Sequence, residues 1–155
     1  MRIICENIEK GYVIAALNTT ERMETLEVMA REMVARGFVK ESYVQAIKDR
    51  EVVFPTGLPM EAFGVAIPHT DSIHVERKAV MVGIPEQAID FIMMGDDTEI
   101  VPVEMLFMLA ILKQEEQVVM LSNLIEFCQN TEILNTLKEA QDIPAMKKIM
   151  EEMMP

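Results

Sequence analysis

The stretch VEMLFMLAIL, residues 103–112, holds one charged residue, Glu104, in an otherwise apolar run, and AVMVGI, residues 79–84, holds none. Runs this continuous fill strands whose two faces are both buried, which predicts a pair of central strands and helices covering the sheet on each side. Neither run crosses a membrane: extended back to Val101, the longer one includes Pro102 and Glu104 and falls short of the roughly 20 residues a spanning helix needs.

Outward from these two strands, shorter candidates lie at 12–16, 63–67 and 88–92, each bounded by Gly, Pro, Asn or Asp. Helical spacing is clearest over 20–36, where Met23, Leu26, Met29, Ala30, Met33 and Val34 share a face, with Thr20 placed to cap the start and Gly37 the end. A second helix is expected over 41–50, with Tyr43, Ala46, Ile47 and Arg50 on its inward stripe. A third, over 115–128, sets Val118, Leu121, Ile125 and Cys128 on one side. A short helix from Asn130 or Thr131 to Leu137 follows. A last one is capped near Asp142 and buries Ile143, Met146, Ile149, Met150 and Met153, so the chain should end helical. Pro55, Thr56, Gly57, Leu58 and Pro59 form a structured loop, since each proline restricts itself and the residue before it. The expectation is an α/β fold: one domain over 1–155, with a mixed β-sheet flanked by helices.

Composition agrees and removes several classes of function. A chain of 155 residues with 50% hydrophobic and 26% charged residues suits one soluble domain. Twenty-six acidic residues against 14 basic ones give a net charge of −12, which repels phosphate backbones and anionic lipid, so nucleic acid is not an expected partner. Two cysteines, Cys5 and Cys128, make neither a disulfide framework nor a zinc motif and favour a reduced, cytoplasmic setting. The first residues, interrupted by Glu6 and Asn7, do not form a secretory leader.

Both histidines, His69 and His74, fall within GVAIPHTDSIH, residues 64–74. Pro68 cannot donate to a ladder, so the strand should stop before it and leave His69 as an exposed imidazole at the strand's carboxyl end, where sites of open α/β sheets gather. Five residues apart, the histidines share no face of a strand or helix. Only a turn at Asp71 and Ser72 would bring them together, with Asp71 able to supply a carboxylate, and for want of a clear third ligand a metal site is the minority reading. A neutral imidazole whose other nitrogen is oriented by a partner is a competent phosphoryl acceptor. Phosphoryl transfer also requires a cation, for which Arg50 is best placed.

The stretch FGVAIPHT, residues 63–70, resembles the phosphorylation-site signature of the type-2 enzyme IIA components of the bacterial phosphoenolpyruvate-dependent sugar phosphotransferase system, the mannitol and fructose class. SYVQAIKDRE at 42–51, the proline loop and the histidine strand keep that family's order over about 12–150, and PHTDSIHV at 68–75 is most like the galactitol-specific branch. The resemblance implies a mannitol-IIA-like fold and a phosphohistidine at His69, loaded by the phosphocarrier protein HPr and unloaded to a cysteine of the cognate IIB component. Arg50 would be the charge stabiliser, and no cofactor is implied. Phosphorylation of the sugar, on the IIC transporter, is the chain's indirect link to the membrane.

The mannitol type keeps a second histidine where this sequence has Gln117, whose amide could hold a phosphate oxygen or His69. His74, Asp71 and Thr56 are further supporting candidates. Phe63 and Ile67, if exposed, would form the partner surface, with Met60, Met93 and Met94 at its rim. Two other readings stand beside this one: a regulatory domain of the nitrogen-related IIA type, and a ligand-binding or structural domain, the latter favoured if the imidazole is buried and fully hydrogen-bonded.

Overall fold

A computed structural model describes residues 1–139 and 142–153. The described residues form one seven-stranded mixed sheet and five α-helices, as the two apolar runs imply. The strands are β1 (Arg2–Asn7), β2 (Tyr12–Leu17), β3 (Gly57–Pro59), β4 (Gly64–Ala66), β5 (Ala79–Pro85), β6 (Ile89–Met93) and β7 (Asp96–Ala110). The helices are α1 (Arg22–Ala35), α2 (Ser42–Val53), α3 (Gln114–Cys128), α4 (Thr131–Glu139) and α5 (Ile143–Met153).

The sheet runs β1-β2-β5-β7-β4-β3-β6, and β6 also pairs with β7, so β7, β4, β3 and β6 close into a ring. β2 is parallel to β5, β5 antiparallel to β7, and β4 parallel to β7. Strand alternation splits the interior in two. Val13, Ala15, Ala79 and Met81 face Leu26, Met29, Met33, Tyr43 and Ile47 of α1 and α2. On the other side, Ile14, Val80, Val82, Phe107 and Leu109 face Met120, Leu124, Leu134, Met146 and Met150 of α3, α4 and α5. Each larger aliphatic, methionine or phenylalanine side chain wholly withdrawn from water contributes roughly 1.5–3 kcal/mol.

Several expectations need correction. Helix α1 is capped by Glu21, whose carboxylate accepts from the Glu24 N–H at 2.9 Å, and not by Thr20. Gly37 does end it: at φ +77° it supports paired bonds from Gly37 N to Val34 O and from Phe38 N to Met33 O. Helix α2 continues past Arg50 to Val53, stopping at Phe54 because Pro55 disfavours a helical residue before it. The proline loop contains the short strand β3, and β1 arises from a segment with no alternating signal, as an edge strand on β2. β7 starts at Asp96, seven residues before the apolar run, because its polar first half forms an exposed ribbon with β6.

In α3 the buried face is Gln117, Met120, Leu124 and Cys128, while Val118 is 72% exposed. Apolar residues cover more than one arc of this helix, and contacts to the sheet and to Thr70 choose between them. Ile143 is exposed on α5, whereas Met146 and Met150 are buried and Ile149 and Met153 partly so. Asp142 accepts from the Ala145 N–H at 3.2 Å, as a cap does. The last helix is described as far as Met153, and Met154 and Pro155 lie outside the described residues.

Candidate active site

β4 delivers His69 to the carboxyl end of the sheet, but the imidazole is buried, with 7% of the residue exposed. The strand ends where Pro68 requires, yet the proline carbonyl still accepts from Leu109 N at 3.0 Å and keeps the segment alongside β7. Leu109 is pinned in turn, since its carbonyl receives the buried Tyr43 hydroxyl at 2.5 Å. Beyond His69, the Gln117 amide of α3 donates to the Thr70 carbonyl at 2.9 Å and accepts from Gln114 at 3.1 Å. The loop is thereby held in, which removes the exposure expected of it. Gln117 acts on the backbone next to His69, with one of its two amide N–H groups given to that carbonyl.

The imidazole is oriented by its Nδ1, which lies 2.8 Å from the Ile67 carbonyl. A carbonyl only accepts, so Nδ1 carries the proton and Nε2 the lone pair. Nε2 has no hydrogen-bond partner among the described residues, nor is it among the polar side-chain atoms sealed from solvent without one. The exposed sliver of His69 therefore includes its nucleophilic nitrogen, and the ring is buried without being fully hydrogen-bonded. Burial holds its pKa below the ordinary histidine value, reinforced by the Arg50 charge and opposed by the Ile67 carbonyl and Asp71. The resting ring is neutral.

Arg50 lies in the last turn of α2 with its guanidinium 4.6 Å above the Phe54 ring and 3.5 Å from Asp71. Its Nε is sealed from solvent and has no hydrogen-bond partner among the described residues, so any contact with an incoming oxygen falls to the terminal nitrogens of the guanidinium. His74 turns elsewhere: its Nδ1 meets Ser42 Oγ at 2.8 Å, at the start of α2. Eight residues separate Ser42 from Arg50, roughly 12 Å of helix. The turn at 71–74 therefore does not make His74 a partner for Arg50.

Thr56 is buried and bound to Glu51, a residue sequence reasoning passed over. The Glu51 carboxylate accepts from Thr56 N at 2.7 Å and from its hydroxyl at 2.8 Å. Burial pushes the Glu51 carboxyl up to about 7, against the two Thr56 hydrogen bonds. Only the juxtaposition of Arg50 with an acid, and a threonine five residues on, marked this pair in the sequence.

Phe63 and Ile67 do not form a partner surface, because both are buried. Phe63 is covered by Lys138, whose ammonium lies 5.1 Å from its ring, and Ile67 packs into the core beneath α3. Met60, Met93 and Met94 are half-buried, the first two packed against the cores. Exposed apolar side chains on the segments framing His69 include instead Phe54, Ile73, Leu112 and Val118, with Val52, Val53 and Val119 beside them.

A family model described as "Phosphoenolpyruvate-dependent sugar phosphotransferase system, EIIA 2" matches residues 6–153. The galactitol-specific EIIA component of Escherichia coli K12 is 31% identical over 126 residues, which span 81% of this chain and 83% of that protein. Among solved structures, IIA mannitol from E. coli superposes with a TM-score of 0.72 at 20% identity, covering 94% of this chain and 99% of its own. The E. coli complex of enzyme IIA mannitol with phosphorylated enzyme IIB mannitol gives 0.71 at 18%, covering 92% and 95%. These structures share the fold; the model match and the curated relative establish kinship, and the chain belongs to the EIIA type 2 family, as a IIA phosphotransferase component of the phosphoenolpyruvate-dependent sugar phosphotransferase system.

Proposed function

We propose that the chain is a cytoplasmic, single-domain phosphocarrier that takes a phosphoryl group from phospho-HPr on His69 and gives it to a cysteine of a cognate IIB component. The sugar served is galactitol, a reading supported by the name of the 31% identical relative. The observation that carries the proposal is the Nδ1 contact to Ile67, which leaves the Nε2 lone pair of the neutral ring unprotonated. In the forward step the Nε2 lone pair attacks phosphorus and the donor's P–N bond breaks, its electrons returning to the donor imidazole. The Nδ1 proton stays in place, so the ring turns cationic against the Ile67 carbonyl while Arg50 faces the dianionic phosphoryl oxygens. Delivery reverses the geometry: a cysteine thiolate attacks, the Nε2–P bond breaks, and the neutral ring is restored. No cofactor enters either step.

Charge separates the partners' contributions. Phe54, Ile73, Leu112 and Val118, exposed on segments adjoining the site, would supply apolar contact to a partner, and the net charge of −12 steers a basic partner face. Loading the protein from phosphoenolpyruvate, enzyme I and HPr, then adding a galactitol IIB, tests the proposal. Phosphate is expected to move to the IIB cysteine. A phosphoprotein that no IIB discharges would support a regulatory role instead. Ile73→Asp and Val118→Asp, both at exposed positions, should raise KM for HPr or IIB about 10-fold while leaving thermal stability within about 0.5 kcal/mol of wild type.

A further inference from the structure

We propose that Glu51 is a positioning residue for the imidazole, acting through Thr56 and the Ile67 peptide. This rests on His69 being the phosphoryl acceptor. The connection is continuous: the Glu51 carboxylate holds Thr56 by its N–H at 2.7 Å and hydroxyl at 2.8 Å, the Thr56 carbonyl accepts from Ile67 N at 3.3 Å, and the Ile67 carbonyl accepts from His69 Nδ1 at 2.8 Å. Each bond fixes the residue whose backbone makes the next. The terminal acceptor sets both the tautomer and the aim of Nε2.

The chemistry of Glu51 suits this role better than a packing role. The residue is 4% exposed, and a carboxylate withdrawn from water is costly where an apolar side chain would fill the same space. An ionised carboxylate accepts from an N–H and an O–H at once, which a neutral side chain of similar shape does not. Glu51 also adjoins Arg50 in α2, so one helical turn carries both the cation and the support of the nucleophile. A misplacement of about 1 Å in a reacting group costs on the order of 10²-fold in rate.

The test uses the full chain at pH 8, where Glu51 is ionised, with two readouts. One is the nitrogen NMR signature of the unphosphorylated His69 ring. The other is the single-turnover rate of phosphoryl uptake from phospho-HPr. Wild type should show one tautomer, protonated at Nδ1. Glu51→Ala should show mixed tautomers and uptake slowed about 10- to 100-fold. Glu51→Gln should recover part of both, since its amide reaches the Thr56 hydroxyl but cannot accept from both donors. Thr56→Val, which keeps the backbone contact, should show a smaller change of the same kind. A wild-type tautomer and rate in Glu51→Ala would overturn the proposal. Should that variant fail to fold, the same result in both Glu51→Gln and Thr56→Val would overturn it. If wild type takes up no phosphoryl group, the acceptor reading has failed, and the ring signature still decides the positioning role.

Discussion

His69→Ala should take up no phosphoryl group, while His74→Ala should keep full acid-labile phosphorylation. The contrast follows from the two rings' surroundings. His69 presents an unprotonated Nε2 beside Arg50, whereas the Nδ1 of His74 meets Ser42 at the far end of α2. Because burial and Arg50 lower the His69 pKa, the ring remains neutral below the ordinary value of about 6.5. The sign is definite: a lowered pKa shifts protonation, and with it loss of the nucleophile, to more acid solution. Uptake limited by His69 should therefore hold level from pH 8 to about 6.5 and decline only below that. Intact mass after loading, with single-turnover rates across this range, reads both features. Phosphate retained by His69→Ala would sink the assignment.

Arg50→Gln should slow uptake about 10²- to 10³-fold without preventing it, the loss expected when a charged donor to the transferring oxygens is removed. Among the described residues the guanidinium has no buried carboxylate paired with it. Asp71, its ion-pair partner at 3.5 Å, is more than half exposed, and Phe54 offers only a ring face. Its contacts in the resting fold are thus a half-exposed carboxylate and a ring face. A second consequence distinguishes this role from packing. Removing a positive neighbour favours the protonated imidazole, so Arg50→Gln should raise the His69 pKa in an NMR titration. A variant with slowed uptake and an unmoved pKa would separate Arg50 from the ring, and unaltered uptake would remove it from the site.

Much of the architecture was legible because continuous apolar segments leave few choices. β5 and the second half of β7 have no polar face to turn to water, and in α1 the residues three and four apart meet one core. Where the pattern allows two solutions, tertiary contacts decide. On α3, the arc of Val118, Leu121 and Ile125 competes with that of Gln117, Met120 and Leu124, and the second wins where Gln117 reaches the Thr70 carbonyl. The first half of β7 begins with Asp96 and Asp97, and its pairing comes from β6 across the turn at Gly95 rather than from buried side chains.

The site divides along the same line. Pro68 announces the end of a strand, and so the place of His69, from local chemistry alone. Its burial depends on β7, α2 and α3, which reach it from distant parts of the chain. Phe63 and Ile67 were reasonable neighbours in sequence, but the lid over one is Lys138 and the cover over the other is a helix formed some fifty residues later. Glu51 and Thr56 were missed for a different reason. A buried carboxylate looks like any surface acid until its burial and its partner's position are known.

The measurement that tests the central claim most directly is the nitrogen and phosphorus NMR spectrum of the loaded, nitrogen-15-labelled protein, which tells which ring atom bears the phosphate. With Nδ1 held to the Ile67 carbonyl, phosphate on Nε2 of His69, and the Nδ1 proton retained, is the predicted result. Phosphate on Nδ1 of His69, or on any other residue, would contradict it.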